Sequence, residues 1–99
     1  MIQRLVVAPQ AEADLRDAFM WYEQRSAGLG RDFLLRIEVA LELISTSPQL
    51  FRERHGPYRL VPTQRFPYAI YFIWDEVHRI IFVRRILHFK QSVSPRHVE

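Results

Sequence analysis

The chain has no cysteine, a single lysine and only three glycines among its 99 residues. Without cysteine there is no disulfide framework and no thiolate zinc site, which suits a reducing cytoplasm. Long hydrophobic runs are missing too. The longest uncharged apolar stretch, Phe66 to Trp74, has nine residues, and a membrane-spanning helix needs roughly 20. The opening residues, Met1 to Val7, lack the extended apolar segment of a secretory signal. No glycine-rich phosphate loop and no G-x-S-x-G is present. The histidines, at 55, 78, 88 and 97, have no metal-ligand spacing, so neither a metal nor an organic cofactor is expected.

What is present fits one soluble α+β domain spanning residues 1–99, with 48% hydrophobic and 25% charged residues. Charge is uneven along it. Residues 1–50 carry five arginines against seven acids, and residues 51–99 carry nine cations against four acids. Thirteen of the fourteen cations are arginine, whose planar fork suits carboxylate and phosphate. Acidic protein and nucleic acid are therefore both candidate partners.

Ile2 to Val7 reads as a strand. Pro9 opens a helix that runs to about Arg25, with Ala11, Leu15, Ala18, Phe19 and Tyr22 on its apolar face. Residues 26–30, Ser-Ala-Gly-Leu-Gly, break it. A second helix carries Phe33, Ile37, Ala40, Leu41 and Ile44 inward and stops at Ser47-Pro48. Residues 49–57 read as a loop. Tyr58 to Val61, Tyr68 to Trp74, and Val77 or Arg79 to Phe89 read as three strands on short links, hence antiparallel. The expected order is β-α-α-β-β-β, with a helical hairpin on one face of an antiparallel sheet. The tail, 92–99, has no pattern.

Strict alternation puts Tyr68, Ile70, Phe72 and Trp74 on one face, and Ala69, Tyr71 and Ile73 on the other. In the last strand it puts Ile80, Phe82, Arg84, Ile86 and His88 opposite Ile81, Val83, Arg85, Leu87 and Phe89. Both faces are apolar, yet one hairpin covers one face. The second face is expected to be an interaction surface, unless twist, loop and tail close it. Adjacent Arg84 and Arg85 must each find an acid, solvent or a ligand. The carboxylates of the two helices read as solvated faces.

Three stretches carry a family resemblance. They are "APQAEADLRDAFMWYEQRSAGLGRDFLLRIEVALELISTSPQLF", "YRLVPTQRFPYAIYFIW" and "IIFVRRILHFKQS". Together they resemble the RelE/ParE toxins of type II toxin–antitoxin systems, over almost the whole chain. The resemblance implies a cytoplasmic bacterial toxin that limits growth and stabilises plasmids. Its partner would be a cognate antitoxin, acidic and partly disordered until bound. A homodimer or a toxin–antitoxin hetero-oligomer is implied as the assembly.

The family divides by target. RelE-like members cut mRNA on the ribosome, and ParE-like members poison DNA gyrase. Ribonuclease members carry an arginine just after the position of Tyr68 and another after that of Lys90. Here those positions hold Ala69 and Gln91. Val61 replaces a further basic position, and the tail has no tyrosine. A non-enzymatic, ParE-like gyrase inhibitor is the expected function. Two alternatives stand beside it. One is a ribosome-dependent endoribonuclease using Arg59, Arg65, His88 and Lys90. The other is an inactive homologue that only binds protein. The expected surface for antitoxin or target is Arg59, Arg65, Tyr71, Arg84, Arg85 and His88.

Overall fold

The computed structural model describes residues 3–91. Strand β1 (Arg4–Val7) leads into helices α1 (Pro9–Arg25) and α2 (Leu29–Thr46). A short 3-10 turn (Pro48–Leu50) follows, then strands β2 (Glu53–His55), β3 (Tyr58–Pro62), β4 (Tyr68–Asp75) and β5 (Ile80–His88). The strands form one sheet in the order β1-β5-β4-β3-β2. The expected α+β hairpin-on-sheet fold is present, and the last three long strands pair antiparallel. β1 lies parallel to β5 over Ile80–Val83, so the sheet is mixed. The helical hairpin carries the chain from β1 at one edge to β2 at the other, and the β2–β5 meander returns it beside β1. Ile2 and the tail at 92–99 lie outside the described residues.

Residues 49–57 are more ordered than their composition suggests. His55 pairs with Tyr58 across a two-residue turn in which Gly56 takes a φ of 57°. The Gly56-Pro57 dipeptide is the local signal for that turn. The three residues of β2 are all exposed, and so show no apolar alternation.

The core sits between hairpin and sheet. Phe33, Ile37 and Ile44 of α2 meet Ile70 and Phe72 of β4, and Ile81, Val83 and Ile86 of β5. Each such side chain contributes about 1.5–3 kcal/mol by leaving water. Strict alternation fails in β5. Tyr71 pairs with Arg85 and Phe72 with Val83, so Arg84 is an extra residue, a β-bulge. The bulge moves Ile86 onto the core face that Ile81 and Val83 share. It also brings His88 against Tyr68, with ring centroids 5.2 Å apart.

The second sheet face is closed at its centre, where Ala69, Tyr71 and Leu87 are buried together beside Tyr58 and Leu60. Toward the β1 end, Val6, Ile73 and Phe82 stay half-buried. The bare apolar face expected from the sequence is therefore reduced to this flank.

The hairpin turn is tighter than its sequence implies. α2 already begins at Leu29, so Gly30 lies inside its first turn and is buried. A Cβ there would sit 2.8 Å from both the Phe19 carbonyl oxygen and its ring. Glu23 of α1 closes the start of α2. Its carboxylate accepts the N–H groups of Gly28 at 2.9 Å and Gly30 at 3.0 Å. Those donors would otherwise lack intrahelical partners.

Candidate functional site

Arginine dominates the candidate residues, and the fold employs several arginines structurally. Arg85 is held by Asp14 of α1. Its Nε lies 2.7 Å from Asp14 Oδ2 and its Nη2 3.0 Å from Oδ1, a two-point ion pair. The hydrogen bond to Asp14 pushes the Arg85 pKa up, and burial works against it. Asp14 Oδ2 also accepts the Ile86 N–H at 3.0 Å. β1 ends at Val7, opposite Val83, so β5 continues beyond it. Asp14 takes the place of a strand at that edge. It is thus no solvated helix carboxylate. The contact spans 71 residues of sequence, so no local pattern announces it.

Arg59, on β3, turns toward the core side. Its guanidinium lies 5.3 Å from the Trp74 ring centroid and donates to the Phe51 carbonyl oxygen. Trp74 Nε1 in turn donates to Gln3 Oε1 at 3.1 Å. Tyr71 is buried on the second face, and burial raises its hydroxyl pKa. Arg84 is exposed at the bulge.

His88 and Lys90 do come together. With Asp14, Asp17, Trp21 and Tyr68 they line a cleft of about 430 Å³ between α1 and the end of β5. His88 Nδ1 accepts the Lys90 N–H at 2.9 Å, so the neutral ring carries its proton on Nε2. The Gln91 side-chain oxygen accepts the His88 N–H at 2.7 Å. Tyr68 has its pKa raised by burial first, then by Tyr22 and Asp14.

Arg65 lies apart from this cleft. It is exposed in the β3–β4 connection, beside Asp32, Leu35, Arg36 and Val39 of α2. Arg59 is also distant. It pairs with Phe72, four residues along β4 from the Tyr68–His88 pair, roughly 13 Å at strand rise. The four ribonuclease candidates thus fall in three places. Two residues that the sequence left unmarked, Trp21 and Asp17, complete the His88 cleft. Among the described residues no group of three acidic or histidine side chains is placed to hold a metal. No described helix is long and apolar enough to cross a membrane.

The chain shares this hairpin-on-sheet fold with solved structures from two toxin–antitoxin systems. The chain superposes on a structure from the chromosomal ParDE toxin–antitoxin system of P. aeruginosa with a TM-score of 0.76. That match has 15% identity and covers 88% of this chain and 96% of the other. It superposes on a chain of the RelBE2 toxin–antitoxin complex of Mycobacterium tuberculosis with a TM-score of 0.62, at 16% identity, covering 89% and 99%. At such identities the likeness is one of fold. The family model for the ParE toxin of the type II parDE toxin–antitoxin system matches residues 5–93. The chain belongs to that family. No curated protein sequence matches it.

Proposed function

We propose that this ParE-family chain is the toxin of a bacterial type II pair, stops growth by inhibiting DNA gyrase, and is neutralised by a cognate acidic antitoxin. The observation that carries the reading is the family match over residues 5–93. The disposition of the cations supports gyrase over mRNA. Where ribonuclease members carry arginine, Ala69 is buried in the second-face cluster and Gln91 caps the end of β5. Arg85 is bound to Asp14, and Arg59 lies over Trp74. Few sheet cations remain for a phosphorane.

One observation favours the ribonuclease alternative. The cleft brings His88 and Lys90, a titratable ring and a cation, together beside Tyr68, residue types that RNA cleavage needs.

Induced expression in bacteria, with and without the antitoxin, separates the readings. The gyrase reading expects growth arrest, relaxed plasmid DNA and intact mRNA, all reversed by antitoxin. Cut mRNA that becomes intact in His88→Ala would replace it with the ribonuclease. Normal growth with folded protein would leave a binding module.

A further inference from the structure

The two edges of the sheet are built differently. At one edge, β2 is fully exposed, and its register against β3 shifts between Glu53 and His55. It carries Glu53, Arg54 and His55, with Arg52 before it and Gly56-Pro57 behind it. Charge, proline and a bulge are devices that keep an edge from pairing with another strand. At the other edge, β1 is short too, but Leu5, Val6 and Val7 have neither charge nor proline. The register of β1 against β5 is unbroken.

The ladder with β5 leaves backbone groups of β1 free. The Arg4 N–H donates to the Arg79 carbonyl at 2.9 Å, and the Ala8 N–H to the Val83 carbonyl at 2.8 Å. In a parallel pair alternate residues bond the same neighbour, so Arg4, Val6 and Ala8 turn inward to β5. The N–H and C=O groups of Leu5 and Val7 point away from the sheet. Among the described residues no strand lies on that side. The Leu5 and Val7 side chains pack on the core, so Val6 takes the opposite face. There Val6, Phe82 and Ile73 form one half-buried apolar row across β1, β5 and β4.

We propose that two copies of the chain pair through β1, antiparallel about a two-fold axis at Val6, and join their sheets into one. In that register Leu5 lies opposite Val7 of the second copy, and the two exchange bonds through their outward N–H and C=O groups. Val6 meets its own counterpart as a close pair without hydrogen bonds, which brings the two apolar rows together. A two-fold contact is closed, so it covers both edges without growing into a filament.

Charge selects this edge. Arg4 would lie opposite Ala8 of the second copy, whose carbonyl accepts the Glu12 N–H at 3.0 Å, so an exposed cation comes near an acid. Arg79 sits at the Arg4 end, as does Glu42, one helical turn before Ser45, whose carbonyl accepts the Gln3 N–H. The two Arg4 residues would be about 14 Å apart, beyond the roughly 8 Å screening length at physiological salt. Pairing β2 about Arg54 would instead set arginine against arginine. With so few bonds at the edge, a weak dimer follows, with Kd on the order of 10 μM.

The chain has no cysteine, so one introduced thiol reports on the register. Under mild oxidation Val6→Cys should form a disulfide-linked dimer, because such paired residues lie about 4.5 Å apart at Cα, within disulfide reach. Arg54→Cys at the other edge should stay monomeric. Sedimentation at rising concentration should show the wild type dimerising. Val6→Lys, which sets like charges on the axis, should weaken association at least 10-fold with an unchanged circular dichroism spectrum. Cysteine is close to valine in volume, so the cross-linking test stands even where lysine is not tolerated. A wild type still monomeric about 100-fold above that Kd would overturn the proposal. So would Val6→Cys that cross-links no faster than Arg54→Cys, or a dimer untouched by Val6→Lys.

Discussion

The two helices of the hairpin meet their surroundings in opposite ways. α1 is tied down by charge. Asp14 grips Arg85 and the β5 edge, and Glu23 closes the start of α2. α2 buries Phe33, Ile37 and Ile44, yet leaves Leu35, Val39 and Leu43 in water beside Arg65, which has a left-handed φ of 72°. Two acids of α1, Asp14 and Glu23, are taken up by the fold, whereas Arg65 beside α2 stays exposed. A small domain has few charged side chains to place, so their use separates surfaces that hold the fold from surfaces left in water.

Breaking the closed side should have the largest effect. Asp14→Ala leaves Arg85 partly buried without its partner and removes the acceptor of the Ile86 N–H. It should cost about 3 kcal/mol, read as a lower urea midpoint with an unchanged slope. Gly30→Ala drives a Cβ into Phe19, and should cost about 2 kcal/mol by the same measurement, despite alanine's better helix propensity. Glu23→Ala uncaps α2 and should cost about 1 kcal/mol, with faster amide exchange at Gly28 and Gly30.

The smallest effect lies far from either helix, in the β4–β5 turn. There the N–H and ring of His78 hold the Asp75 carboxyl below its usual pKa. A depressed carboxyl stabilises the fold above its unfolded pKa, and that contribution is lost as pH falls through the folded value. Asp75→Asn should therefore be slightly less stable than wild type at pH 7 and equal to it near pH 2, by thermal melts across that range.

Much of this was legible in the sequence. The apolar spacing of both helices, Pro9 and Ser47-Pro48 mark the hairpin, and the alternation of Tyr68 to Trp74 sorts β4 correctly between its two faces. The rest depends on contacts that local patterns do not carry. Arg84 gives no sign that it is the bulged residue, because the bulge answers a partner strand. Gly30 looks like a breaker, but serves a close approach to Phe19. Asp14 looks like a solvated acid because its partners are more than 70 residues away. Arg59, Arg65 and His88 are visible as residue types, but their separation into three places follows from sheet register and the β3–β4 connection.

The central claim is that this toxin acts on gyrase. Its most direct test is supercoiling of plasmid DNA by purified gyrase with rising amounts of the chain, with and without antitoxin. Loss of supercoiling with trapped, cleaved DNA, reversed by antitoxin, is the predicted result. Full supercoiling at every amount of folded chain would contradict it.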